Sequence, residues 1–147
     1  MNTSPSAILV LDDEPDLLEL LSALLSGAGY RVQTVQTVDD FESWLENGDL
    51  PSLFVLDLLL AGSHGGELVR HLKGEERTQG IPILMVSAHP DAEREAWDGG
   101  ADAFLAKPFD IEEFLGLVAA LLAHHQEEQL TDQHLERTQP DLLTSLD

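Results

Sequence analysis

The stretch Ser6-Ala7-Ile8-Leu9-Val10-Leu11-Asp12-Asp13-Glu14-Pro15 decides how this chain is read. A nearly continuous apolar run, with none of the polar alternation of a half-exposed strand, is what a strand buried on both faces requires. It ends in three acids and no basic segment precedes it, so the run reads as a strand and not as a secretory leader. Leucines at 17, 18, 20, 21, 24 and 25 then recur at helical spacing, and the pattern stops at Gly27-Ala28-Gly29. A buried strand that feeds a helix through an acidic turn is the first half of a βαβ unit.

The rest of the chain repeats that unit. Tyr30 to Val35 alternates as a second strand, and Phe41, Trp44 and Leu45 mark a helix over Val38 to Glu46 that Asn47-Gly48 ends. Leu53 to Leu56 is a third apolar strand running into Asp57. A small-residue loop (Ala61, Gly62, Ser63, Gly65, Gly66) leads to a helix from about Glu67 to Lys73. Ile81 to Val86 is the fourth strand, with Pro82 tolerated near its start. Asp91 to Asp98 is a short helix closed by Gly99-Gly100, Ala103 to Ala106 the fifth strand, and Asp110 caps a last helix through Leu122. This order predicts an α/β fold: a five-stranded parallel sheet, doubly wound as (βα)5, with helices on both faces. Residues 1–123 are expected to form one domain. Residues 124–147 read as a polar tail or linker, a helix extension interrupted at Pro140.

Composition narrows the functions available. The chain has 147 residues, 43% of them hydrophobic, which suits one domain with a packed core. It has no cysteine, which excludes a disulfide scaffold and thiolate metal sites and fits a reducing, cytoplasmic setting. Its apolar stretches are short and broken by charge, so no membrane span is expected. With 28 acidic and 7 basic residues the formal net charge is −21. Such a surface repels phosphate backbones, so direct nucleic-acid binding by this chain is not expected. The acidity serves solubility or salt tolerance, and a few of the carboxylates could in addition hold a cation.

In open parallel sheets ligands sit outside the carboxyl ends of the strands. Asp12 and Asp13 follow the first strand, Asp57 the third, Ser87 the fourth and Lys107 the fifth. Alone, each has a structural explanation. Asp13 could cap a helix, Lys107 could snorkel to water, and Ser87 could open the next turn. Together they suit phosphoryl transfer to a carboxylate. Three converging carboxylates repel unless a cation joins them, and Mg2+ suits such a set because it takes one or two carboxylates and keeps waters. Asp57 then stands as nucleophile, with Lys107 and Ser87 placed to hold phosphoryl oxygens.

The matching pieces are Leu-Val-Leu-Asp12-Asp13-Glu14-Pro15, Leu-Phe-Val-Leu-Asp57-Leu-Leu-Leu60, Gly65, Met85-Val86-Ser87-Ala88, and Gly100 through Lys107-Pro108-Phe109. In this order and spacing they resemble the receiver domain of two-component response regulators, over roughly Ser6 to Leu122. The resemblance implies a flavodoxin-like sheet with strand order 2-1-3-4-5. It implies Mg2+ bound by Asp12, Asp13 and Asp57 with the backbone carbonyl of Leu59, and catalytic roles for Asp57, Lys107 and Ser87. Ser87 and Phe104 would be the switch pair, although Phe104 is equally explained as a core aromatic, and Lys107-Pro108 would be a cis peptide aiming the lysine into the site. The implied partners are a histidine kinase or histidine phosphotransfer protein and a downstream effector or output domain. A readout surface is expected across the fourth helix, fifth strand and fifth helix, about Asp91 to Leu122, and it could also pair two copies as a homodimer. The chain reads as a signalling domain, either stand-alone or cut from a longer protein, and not as an enzyme acting on a separate substrate.

Three other readings fit less well. A receiver-like interaction module that is never phosphorylated would usually lack an acid or the lysine. A flavin-binding protein would need a phosphate loop where Asp12 and Asp13 stand. A phosphohydrolase would carry a second acid two residues after Asp57, where Leu59 stands. Two positions depart from the family pattern, Ala61 for a usual proline and Gly66 for a usual apolar residue. Leu59 and His89 flank the route by which water would reach an acyl phosphate, and the hypothesis that apolar Leu59 slows hydrolysis is testable. Leu59→Asn should speed dephosphorylation, measured by loss of the phosphate adduct, and an unchanged rate would refute the idea.

Overall fold

The structure, a computed structural model, describes residues 7–47, 49–57, 65–89 and 91–125. Strands β1 (Ala7–Leu11), β3 (Leu53–Leu56) and β4 (Ile83–Ser87) are apolar almost throughout, and their burial follows from that. Such strands are stable only where helices cover both faces. β2 (Arg31–Val35), with its alternating polar residues, takes one edge and β5 (Ala103–Ala106) the other. The sheet is parallel with order β2-β1-β3-β4-β5, as expected.

Alternate residues of each strand supply two cores. Ile8, Val10, Val55, Leu84 and Val86 pack with Leu18, Leu21 and Leu25 of α1 (Pro15–Gly27). Phe114, Val118 and Leu122, from the helix over residues 111–125 (α5), complete that cluster. On the other face Leu9, Leu11, Phe54, Leu56, Ile83 and Met85 meet Phe41 of α2 (Val38–Glu46) and Val69 and Leu72 of α3 (Gly65–Gly74). Ala96 of α4 (Ala92–Gly99) closes this second core. No helix among the described residues is long and apolar enough to cross a membrane.

Several boundaries differ from the sequence reading, three of them with a clear physical reason. β4 begins at Ile83, after Pro82, which has no N–H for the ladder but whose carbonyl accepts from Phe54 N at 3.0 Å. The N-cap of α1 is Glu14, followed by Pro15, so Asp13 does not cap it. α3 starts at Gly65, ahead of Glu67, and runs through Gly66. A Cβ on Gly66 would lie 3.1 Å from the carbonyl oxygen of Glu95, and one on Gly99 would lie 2.8 Å from that of Gly66 and 3.1 Å from Val69 Cβ. The glycines thus allow α3 and α4 to approach backbone to backbone. Gly100, at φ 101°, then turns the chain out of α4 in the left-handed region.

The packing predicts opposite outcomes for two substitutions of the same kind. Gly99→Ala should cost about 1–3 kcal/mol through overpacking against backbone. Gly116→Ala, on the exposed side of α5 with nothing within 4 Å, should be neutral or stabilising by about 0.5–1 kcal/mol. Urea denaturation of the two variants measures the contrast.

Candidate functional site

The strand ladders run one step past their ends and so position the polar residues that follow. Asp12 N donates to Val35 O at 3.2 Å, Asp57 N to Leu11 O at 2.8 Å and Lys107 N to Ser87 O at 3.0 Å. Four side chains are thereby held at the carboxyl edge of adjacent strands: Asp12 after β1, Asp57 after β3, Ser87 at the end of β4 and Lys107 after β5. Asp12, Asp57 and Ser87 are buried, at 0%, 3% and 2% exposure.

Lys107 reaches back across the edge. Its Nζ forms an ion pair and hydrogen bond with Asp57 Oδ2 and lies 3.6 Å from Asp12 Oδ2. Asp12 Oδ1 accepts from Glu14 N at 2.8 Å, while its buried Oδ2 receives no hydrogen bond among the described residues. The Lys107–Pro108 peptide bond is cis, as the resemblance implied.

The electrostatics follow from this crowding. Burial pushes the Asp12 pKa up to about 7. The Glu14 N–H pulls it down, Asp57 raises it by hydrogen bond and by charge, and Lys107 lowers it. For Lys107, burial acts downward, but the hydrogen bond and charge of Asp57, with Asp12 and Glu14 behind, outweigh it and raise the pKa. Glu14 is the charged group that the sequence reading did not single out, although it stood beside the acidic pair.

The other expected residues are distributed less uniformly. Asp13 is exposed beside the buried Asp12, and no group of three or more acid, histidine or cysteine side chains arranged to hold a metal ion occurs among the described residues. Leu59 lies outside the described residues. Ser87 Oγ accepts from His89 N at 3.1 Å, and His89 Nδ1 accepts from Asp91 N at 3.1 Å, which ties the turn after β4. Phe104 is partly buried against the core that contains Met85, its partner in register. The donor chemistry of the edge fits a hard divalent cation: two carboxylates converge, and one has a buried oxygen that no donor reaches.

Comparison with known proteins agrees with the fold. Residues 8–119 match the family model described as the response regulator receiver domain. The DNA-binding dual master transcriptional regulator RpaA of Synechocystis is 42% identical over 118 residues, covering 78% of this chain and 48% of that protein. The phosphate regulon transcriptional regulatory protein PhoB of Rhizobium meliloti is 36% identical over 127 residues, covering 84% and 55%. The chain thus spans about half the length of the curated relatives it matches. The crystal structure of a response regulator receiver protein from Burkholderia phymatum aligns with TM-score 0.70 and 30% identity, covering 80% of this chain and 95% of that one. Fold and edge define a doubly wound signalling domain. This chain belongs to the response regulator receiver domain family of two-component systems.

The Asp12 environment sets a pH dependence. Unfolded, Asp12 ionises near 3.8; folded, near 7. Between those values the unfolded state binds fewer protons, so this group's contribution to stability falls as pH rises through that window. In chelator-buffered solution the melting temperature of the wild type, relative to Asp12→Asn, should therefore decline from about pH 4 to pH 7. A difference profile that stays flat or rises across that window would count against this account.

Proposed function

We propose that this receiver is a phosphoacceptor switch in which Asp57 takes a phosphoryl group from a histidine kinase or histidine phosphotransfer protein. The observation that carries the reading is the buried pairing of Lys107 with Asp57 beside Asp12, at the edge where ligands of such sheets bind. Asp57, as a carboxylate, attacks phosphorus; the new O–P bond forms as the bond from phosphorus to the donor imidazole breaks. The imidazole leaves with the electron pair and is protonated by solvent. Lys107 transfers its attention from the carboxylate to a phosphoryl oxygen, where a point charge on a mobile stem is suited to following the charge. Ser87, whose oxygen now accepts from His89 N, has its hydroxyl proton available for a second phosphoryl oxygen.

Asp12, Asp13 and Asp57, with the carbonyl of Leu59, are the groups we assign to Mg2+. When bound, that ion supplies positive charge to the phosphoryl oxygens. Phosphorylation replaces one negative charge at Asp57 by about two and biases an existing equilibrium between two arrangements of the chain. In this reading Ser87 moves toward the phosphoryl group and Phe104, one strand away, changes its packing with it. The surface of α4, β5 and α5 then presents the change to an effector or output domain, or to a second copy. Residues 1–123 form the switching unit in this scheme, acting in the cytoplasm, and residues 124–147 connect it onward.

Phosphorylation by acetyl phosphate, followed by intact mass with and without Mg2+, tests the proposal. A Mg2+-dependent phosphate adduct that disappears in Asp57→Asn is expected. No adduct with acetyl phosphate, or with a donor kinase, would leave an interaction module in which Lys107 serves only to compensate buried carboxylates.

A further inference from the structure

The amino end of the sheet, opposite the Asp57 edge, holds a cavity of about 460 Å³ that the proposed switch does not use. It lies between the start of β2 and the residues after α2, and its volume is in the range of small-molecule sites. Arg31 and Gln33 line it together because residues two apart on a strand share a face. Val35, two residues further along that face, already packs against the second core. Ala7, the partner of Arg31 in register, brings only a methyl group to the lining, which leaves room beside the arginine. Trp44, partly buried against the second core, and Leu50, 37% exposed, give the cavity apolar walls.

Two charges of opposite sign line this cavity without meeting. Arg31 and Asp49 form no ion pair with each other, and neither side chain has a hydrogen-bond or ion-pair partner among the described residues. Both lysines, by contrast, pair with carboxylates. A charge on an open edge strand also discourages strand addition, but that role asks for neither Asp49 nor an apolar wall. A simple anion drawn to Arg31 would meet Asp49 and the field of a chain at −21, and a simple cation would meet Arg31. A zwitterion answers both charges and has no net charge for that field to repel. Its carboxylate can take two parallel N–H bonds from the guanidinium, and its ammonium can donate to the Asp49 carboxylate. The carboxamides of Gln33 and Asn47 supply further donors and acceptors on the same lining. We propose that this cavity binds a free α-amino acid with an apolar side chain. Arg31 holds its carboxylate, Asp49 its ammonium, and Trp44 and Leu50 its side chain. At the far end of the sheet from Asp57, the site is independent of the switch reading.

The test titrates L-leucine into the full chain carrying Trp97→Phe, which leaves Trp44 as its only tryptophan. Trp44 emission should change saturably, with a dissociation constant on the order of 0.1–1 mM for so small a ligand. Calorimetry on the wild type should give the same constant. L-Leucinamide, which lacks the carboxylate, and N-acetyl-L-leucine, which lacks the ammonium, should each bind about tenfold more weakly or worse. Arg31→Gln and Asp49→Asn, both at exposed positions, should each weaken leucine binding by about tenfold. Ala7→Leu, which fills the cavity, should abolish it. Glu112→Gln, exposed on α5, should leave it within about twofold. Circular dichroism checks that each variant folds. The absence of a saturable change overturns the proposal, as does leucinamide binding as tightly as leucine. Equal binding of N-acetyl-L-leucine overturns the free amino acid in favour of the carboxyl-terminal residue of a peptide. Leucine binding that survives both Arg31→Gln and Asp49→Asn overturns the site, even where Ala7→Leu does not fold.

Discussion

Burying two carboxylates side by side is unfavourable in any protein, and the carboxyl edge of this sheet is arranged around that constraint. Asp12 and Asp57 lose their water because β1 and β3 are apolar to their last residue and helices cover both faces. Lys107 offsets part of the cost by pairing with Asp57, and Asp12 is left to hold its proton near neutral pH. A buried set of this kind is a weak source of stability. It leaves a demand for positive charge that a cation can meet.

The surrounding structure gives a shift at this edge a short path. Ser87 ends β4 and Lys107 follows the neighbouring β5, joined by the Lys107 N to Ser87 O bond, and Met85 and Phe104 lie opposite each other two residues before Ser87 and three before Lys107. In the proposed switch, a shift at the carboxyl end of β4 or β5 meets a partly buried aromatic after one repeat of the strand. The glycine contact between α3 and α4 binds α4 to the helix that comes next after Asp57 among the described elements. α4 thus packs closely against α3 on one flank and carries an exposed Trp97.

Charge acts on two scales here. Over the whole chain the excess of acids sets a repulsive field toward other anions, nucleic acid included. Within a few ångströms of Asp57 the ammonium of Lys107 offsets part of the charge of the two neighbouring carboxyl groups. In the proposed switch, an anionic phosphoryl donor meets this partly compensated edge against the general field.

The alternation of apolar runs with amphipathic segments determined the parallel sheet and its layers, because burial on two faces or on one writes directly into composition. The residues Asp12, Asp57, Ser87 and Lys107 were legible as well, since a parallel sheet obliges whatever follows its strands to share an edge. Local chemistry could not say which acids close on one another. Asp12 turns inward, fixed by Glu14 N, while Asp13 stays exposed, a choice made by one hydrogen bond at the turn into α1. The sequence likewise showed Gly66 only as a weak helix start. Its reason lies in α4, whose Glu95 carbonyl occupies the space a side chain would need, and an approach between two backbones exists only once the layers have packed.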